Sequence, residues 1–149
     1  MIEGVEVVHL KRYADDRGFL SEILRSDDPH FKGFGQVYIS CVRRGFIKAW
    51  HSHQHQTDAF YVVKGTAKIG LYDDREGSST YDTYQTVVLG EDGYDALLMI
   101  PEKVWHGLIS LSETTYMINI PSKPYDRENC DELRRTPDTL KDIWTIKDR

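Results

Sequence analysis

Four of the six histidines in this chain lie in two short segments, where their spacing suits acid–base or metal chemistry. His51, His53 and His55 alternate along one segment, and His106 lies in the other. Alternate residues of a β-strand share a face, so an extended segment can direct all three imidazoles to one side. A neutral imidazole can exchange a proton near neutral pH, and it can also bind a transition metal. The pattern therefore predicts a proton-transfer site or a metal site.

Two uses of these histidines are compatible with the spacing alone. In one, zinc, iron, manganese or nickel is bound by three imidazoles and a carboxylate, from His51, His53, Asp58 and His106. In the other, the histidines line a polar pocket without a metal, and His51 acts as a general base. Such a base needs an orienting partner, which we expect to be a carboxylate that the sequence does not identify. Lys48, shortly before His51, could stabilise negative charge on a substrate.

Composition bounds the kind of protein that carries this site. The chain has 149 residues, of which 40% are hydrophobic and 29% charged, so we expect one globular domain spanning residues 1–149. The net charge of −5 argues against binding to duplex nucleic acid, and no apolar run is long enough for a membrane helix. The N-terminal residues lack a signal-peptide pattern, and the two cysteines match no zinc or disulfide framework. We therefore expect a cytoplasmic protein.

The elements that must position the histidines have the pattern of β-strands. Short β-branched and aromatic segments recur along the chain between turn residues, which favours an antiparallel sandwich or barrel. The 36–42 segment is one such strand; it is flanked by turns and could pair across a two-fold axis. Near the C-terminus, residues 130–135 favour one or two helical turns, which Pro137 would end.

The two histidine segments also resemble the two sequence motifs of the cupin barrels. The first motif runs from Gly45 to Gly65. The second runs from Pro101 to His106, with Lys103 where those barrels usually have glycine. This resemblance implies a cupin-type jelly-roll β-barrel, here followed by the short C-terminal helical tail.

Longer motifs are similar to those of the dTDP-4-dehydrorhamnose 3,5-epimerase family, from about residue 10 to residue 126. The matching segments are 15–22, 36–40, 47–51, 73–81 and 101–108. The resemblance implies an isomerase of deoxysugar or polysaccharide biosynthesis that removes a proton next to the ketone of a nucleotide-linked 4-keto-6-deoxy sugar. It further implies a dTDP-linked substrate, a homodimer, and a reaction that needs neither metal nor cofactor.

The resemblance also assigns roles to particular residues. His51 corresponds to the family's catalytic base. We expect His53 to act as an auxiliary acid or shuttle, and His106 and Lys48 to polarise the ketone. The remaining predicted site residues are two tyrosines that could replace a missing acid and five residues that would contact the nucleotide or the sugar: Tyr61, Tyr125, Arg17, Gln36, Asp58, Arg75 and Asn119.

Four positions depart from the family pattern. Lys48 replaces an arginine, keeping its charge but not its planar fork. Asp58 stands where the family has a lysine that stabilises the enolate, and Tyr38 stands where it has an asparagine. Asn119 occupies the position of the catalytic tyrosine, and asparagine cannot supply a proton as a phenol does. The prediction is therefore an epimerase that has lost its acid and inverts fewer than two centres.

Three other functions stay open at this level. The His51-Ser52-His53 motif resembles that of sugar-nucleotide 3,4-ketoisomerases, which move a proton along one face of a 4-keto sugar. A metal-dependent cupin enzyme would use the four ligands named above. The missing tyrosine and lysine would also suit a sugar-nucleotide binder without catalytic activity.

Overall fold

The computed structural model describes residues 1–146, and this part of the chain is all-β. The strands in chain order are β1 (Glu6–His9), β2 (Arg12–Asp15), β3 (Gly18–Ser21), β4 (Tyr38–Arg43), β5 (Ile47–His53), β6 (Asp58–Lys64), β7 (Thr66–Asp73), β8 (Thr83–Gly90), β9 (Ala96–Ile100), β10 (Val104–Ser110), β11 (Thr114–Asn119) and β12 (Glu132–Arg134). The described residues form no helix. They therefore contain no helix that is long and apolar enough to cross a membrane. The all-β prediction is confirmed.

Two five-stranded antiparallel sheets face each other and enclose the core. The first has the strand order β1-β9-β6-β11-β4, and the second β12-β5-β10-β7-β8; β2 and β3 form a separate hairpin. Strands direct alternate side chains to one face, so β6 contributes Phe60 and Val62 to the core while β7 contributes Ile69 and Leu71. All four side chains are buried in one hydrophobic cluster.

The outer faces of both sheets are also covered, which explains why β9 and β10 are buried along their whole length. Leu10 and Ile23, from the N-terminal part of the chain, pack on the outer side of the first sheet. On the second sheet, the indole rings of Trp144 and Trp50 are in contact, with ring centroids 4.7 Å apart. Gly70 makes room for this contact, because a Cβ there would lie 2.4 Å from the Trp144 ring.

Two details of the predicted fold are wrong. The sheets are not closed into a barrel, since no ladder joins them within residues 1–146, and the architecture is a sandwich. The expected helical tail at 130–135 is instead β12, which pairs with β5. Its charged, long-chain residues favour a helix locally, but pairing with β5 satisfies backbone hydrogen bonds along that strand and overrides a weak local preference.

β4 lies at an edge of the first sheet and exposes apolar side chains there. Within the described chain it pairs with β11 alone. Ile39 is 62% exposed on this strand, and Val37, just before it, is 57% exposed. An unpaired strand edge of this kind is a template for another strand. The edge therefore supports the expected homodimer, with β4 as the strand that meets its symmetry mate.

We predict that Ile39→Asp converts the expected homodimer into a monomer, because it would place a charge in the apolar contact that two copies would share at β4. Analytical ultracentrifugation at micromolar concentration measures the change. Val63→Asp is the matched control: Val63 is 49% exposed on β6, and its replacement should leave the dimer intact. Wild-type protein that sediments as a monomer contradicts the prediction.

Candidate active site

A cleft of about 140 Å³ lies between the two sheets, lined by side chains of β4, β5, β6, β10, β11 and β12. It brings together six residues predicted from the sequence: His51, His53, His106, Lys48, Asp58 and Asn119. It also contains three polar side chains that were not predicted to be in the site: Tyr38, Ser40 and Glu132. This concentration of titratable groups in a concave site makes the cleft the candidate active site.

An irregularity in β5 directs its polar side chains into the cleft. His51 is opposite His106, and Lys48 is opposite Leu108, so three residue steps on β5 face two on β10. A bulge of this kind shifts the alternation of a strand. As a result Lys48 lines the same cleft as His51 and His53, although regular alternation would have turned it away.

His51 is held by a carboxylate that β12 brings to it. Oε1 of Glu132 contacts Nδ1 of His51, and Oε2 accepts a hydrogen bond of 2.8 Å from Arg134. In the ladder of β12 and β5, Arg134 is directly opposite His51, and Glu132 is the diagonal neighbour of His51 on the same face. A carboxylate at Nδ1 favours the tautomer protonated there, which leaves the lone pair of Nε2 available. Burial lowers the pKa of His51 and Glu132 opposes the shift in part, so the neutral ring predominates at neutral pH.

Asp58 places a carboxylate at the floor of the cleft, where the residue is 1% exposed. Its Oδ1 accepts hydrogen bonds from Nδ2 of Asn119 at 2.8 Å and Nε2 of Gln56 at 2.9 Å. Its Oδ2 lies 3.3 Å from Nε2 of His106 and 3.5 Å from Nε2 of His53. Burial acts to raise the pKa of Asp58, but these partners outweigh it and the net pKa is lowered. The partners come from both sheets and keep the group ionised.

His106 is the most deeply buried of the three cleft histidines, against the edge of the Phe60 ring. Its Nδ1 is 3.0 Å from the carbonyl oxygen of Val104, while its Nε2 faces Asp58. Both ring nitrogens therefore lie next to oxygen atoms of the protein, which fix the orientation of the ring. His106 is thus a fixed side chain at the floor of the cleft.

Part of this network also has the geometry of a cation site. One ligand atom from each of His53, Asp58 and His106 lies within 4.8 Å of the other two, and imidazole with carboxylate is a common donor set for transition metals. The fourth predicted ligand, His51, is outside this cluster and is engaged by Glu132. The cluster therefore fits a metal in donor chemistry, while His51 is arranged for proton transfer.

Two hydrogen bonds border the opening of the cleft. Nζ of Lys48 donates to Oγ of Ser40 at 2.8 Å, which links β5 of one sheet to β4 of the other. On the first sheet, Nδ2 of Asn119 donates to the hydroxyl of Tyr38 at 2.8 Å. An ammonium group and a phenol therefore both face the space in which a substrate would lie.

Two of the predicted site residues make contacts elsewhere. Tyr61 is on the outer side of β6, and its hydroxyl donates to Asp95 at 3.3 Å. Arg75 is held by the buried carboxylate of Asp73, with hydrogen bonds of 2.8 and 2.9 Å. Neither side chain lines the cleft.

Three more predicted residues do not line the cleft. Arg17 is in the turn between β2 and β3, where it pairs with Asp15. Gln36 lies just before β4. Tyr125 lines a second groove, which shares the lining residues His53 and Glu132 with the cleft.

The three site residues that were not predicted differ in whether a sequence pattern could have identified them. Tyr38 and Ser40 alternate along a predicted strand, so period-two reasoning could have placed both on one face. Glu132 left no such signal, because its segment has the local composition of a helix and reaches His51 only through the ladder with β5.

Known proteins resemble this chain along nearly its whole length. It is 39% identical over 135 residues to the spore coat polysaccharide biosynthesis protein SpsL of Bacillus subtilis, covering 90% of this chain and 89% of SpsL. It is 39% identical over 136 residues to the probable low-salt glycan biosynthesis epimerase Agl13 of Haloferax volcanii, covering 89% and 86%. The crystal structure of a dTDP sugar isomerase from Desulfovibrio desulfuricans G20 has a TM-score of 0.84 at 32% identity, covering 93% of this chain and 87% of that one.

The sequence profile of the dTDP-4-dehydrorhamnose 3,5-epimerases matches residues 1–148. The match spans every strand of the sandwich and every residue of the cleft. This chain therefore belongs to the dTDP-4-dehydrorhamnose 3,5-epimerase family of sugar-nucleotide epimerases.

Proposed function

We propose that the protein epimerises a nucleotide-linked 4-keto-6-deoxy sugar by removing a proton next to the ketone. The observation that carries the proposal is the His51–Glu132 pair, which lies in one cleft with the cationic Lys48. A proton next to a carbonyl is weakly acidic, so its removal needs a positioned base, and the resulting enolate needs nearby charge or hydrogen-bond donors. The cleft offers all of these.

His51 is the base in this proposal. Its Nε2 accepts the proton, since Nδ1 is engaged by Glu132. The ring becomes positively charged as it does so, and the adjacent carboxylate stabilises that charge. Glu132 thus orients the base and also favours the protonated product of the step.

Lys48 supplies the positive charge that polarises the ketone and stabilises the enolate, since the family's lysine is absent at position 58. His106, which the sequence also predicted to polarise the ketone, has both ring nitrogens next to protein oxygen atoms and therefore shapes the floor of the cleft. Asp58 positions His106, as the distance of 3.3 Å indicates. Burial lowers the pKa of His53, which suits a neutral ring that shuttles a proton.

The substrate class rests on family membership and on the names of relatives. SpsL belongs to spore coat polysaccharide biosynthesis and Agl13 to glycan biosynthesis, which supports a role in polysaccharide or glycan assembly. The family description supports a dTDP-linked deoxysugar as substrate. Arg17, Gln36 and Arg75 stay predicted nucleotide contacts. The two cysteines are free and exposed, which fits a reducing cytoplasm.

Ketoisomerisation is a second candidate, favoured by one observation. His51 and His53 both project from β5 into the cleft, so they could pass a proton along one face of the sugar. Product analysis separates the reactions, because ketoisomerisation moves the carbonyl whereas epimerisation leaves it in place. A protein that binds the nucleotide sugar and exchanges none of its protons would be a binder.

His51→Ala should lower solvent exchange at the sugar carbon by ~10²–10⁴-fold, the usual contribution of a positioned acid–base group. The measurement is NMR of dTDP-4-keto-6-deoxyglucose incubated with the enzyme in heavy water. His55→Ala is the matched control, since His55 is exposed on the same segment and should leave exchange unchanged. Calorimetry should find the same affinity for dTDP in all three proteins. Full exchange by His51→Ala would place the base elsewhere.

Glu132→Gln should move the acid limb of the pH–rate profile to lower pH. The base is active only when neutral, so activity falls as pH drops through the pKa of His51. Glu132 raises that pKa against the effect of burial, and its removal lets the pKa fall further. The maximal rate should drop tenfold or more, as ~1.4 kcal/mol of lost stabilisation is a factor of ten. Glu113→Gln, on the exposed turn before β11, should change neither quantity. An unshifted limb in Glu132→Gln contradicts this pairing.

Activity should persist after exhaustive dialysis against a chelator, because proton transfer by His51 and charge from Lys48 require no metal. Elemental analysis of the dialysed enzyme should find far less than one equivalent of any transition metal. One bound equivalent, with activity lost on chelation and restored by that metal, would instead make His53, Asp58 and His106 the ligands.

A further inference from the structure

Two departures from the family pattern are complementary and meet in space. Position 119 has asparagine where the family resemblance implies a catalytic tyrosine, and position 38 has tyrosine where it implies an asparagine. In the ladder of β4 and β11, Tyr38 is directly opposite Asn119. The strand pairing therefore places a phenol next to the position from which the expected phenol is missing.

Asn119 is fixed in a way that determines what Tyr38 can donate. Its Oδ1 accepts a hydrogen bond from the backbone N–H of Ala59 at 3.1 Å, which assigns the amide orientation. Its Nδ2 donates to Asp58 and to the Tyr38 hydroxyl, each at 2.8 Å. The phenol oxygen is thus an acceptor in this contact, so its own proton is free to be donated into the cleft.

Tyr38 and the base lie on opposite sides of that cleft. Tyr38 projects from β4 of the first sheet, while His51 projects from β5 of the second. A sugar between the sheets would present one face to the imidazole and the other to the phenol. Inversion of a carbon requires this placement, because the proton must leave one face and arrive at the other.

We propose that Tyr38 is the catalytic acid of this enzyme, a role that rests on the proposed epimerase function. His51 removes the proton from the sugar carbon, and the electrons of that C–H bond form the enolate. The phenol O–H of Tyr38 then breaks and its proton bonds to the opposite face of the same carbon, while the enolate electrons restore the ketone. Water reprotonates the tyrosinate, and His51 releases its proton to water.

Tyr38 is protonated at neutral pH, as an acid must be. Although the residue is 45% exposed, desolvation of its hydroxyl raises its pKa, the negative charges of Asp58 and Glu132 add to the shift, and the hydrogen bond from Asn119 opposes it. Tyr61 and Tyr125, the acids suggested by the sequence, do not line the cleft.

Tyr38→Phe separates the two halves of the reaction. In heavy water, the variant should still exchange the proton next to the ketone at close to the wild-type rate, because His51 can remove a proton and return deuterium from the same face. Inversion at that carbon should fall by ~10²-fold or more. NMR of the recovered sugar reports both, since it locates deuterium and the configuration of the carbon that carries it. Tyr116→Phe is the matched control: Tyr116 lies on β11 and is 39% exposed outside the cleft, so inversion should persist.

The outcomes distinguish this proposal from the one on which it rests. Deuterated sugar of unchanged configuration from Tyr38→Phe supports the assignment. Inversion at the wild-type rate by Tyr38→Phe overturns it, and so does a parallel loss of exchange and inversion in a variant that still binds dTDP. Wild-type enzyme that binds the nucleotide sugar without exchange overturns the epimerase function itself.

Discussion

The buried carboxylate of Asp58 is the constraint on which the site depends. An ionised group in a protein interior is costly unless it is paired and hydrogen-bonded. Asp58 meets this requirement with Asn119 from its own sheet and with His53 and His106 from the facing sheet. The same contacts that keep the charge inside the fold therefore fix the positions of these side chains across the gap between the sheets.

This arrangement relates the departures from the family pattern to one another. A lysine at position 58 would place an ammonium where the carboxylate now accepts two amide hydrogen bonds. With Asp58 present, Asn119 is a suitable neighbour because it donates to the carboxylate and also to Tyr38. The three positions 38, 58 and 119 therefore form one connected network.

The fold and much of the site could be predicted from sequence because their signals are local. Strand alternation predicted an all-β chain, and the histidine and lysine motifs predicted most of the cleft. The local alternation of Tyr38 and Ser40 could have placed both on one face, but the other features that were wrong or missed depend on contacts distant in sequence. The bulge in β5 that turns Lys48 inward is visible only in its register with β10. Likewise, Glu132 becomes the partner of His51 only because β12 pairs with β5 instead of forming a helix. The role of Tyr38 emerges from its position opposite Asn119, which no local pattern encodes.

Burial keeps His51 neutral, and Glu132 holds its proton on Nδ1, so that the lone pair of Nε2 faces the cleft. Nitrogen NMR of the enzyme labelled with ¹⁵N-histidine tests this directly, and the signals of His51 are assigned by their absence in His51→Asn. Near neutral pH we predict a protonated Nδ1 and an unprotonated Nε2 for this ring. A ring that carries its proton on Nε2, or on both nitrogens, would contradict the account.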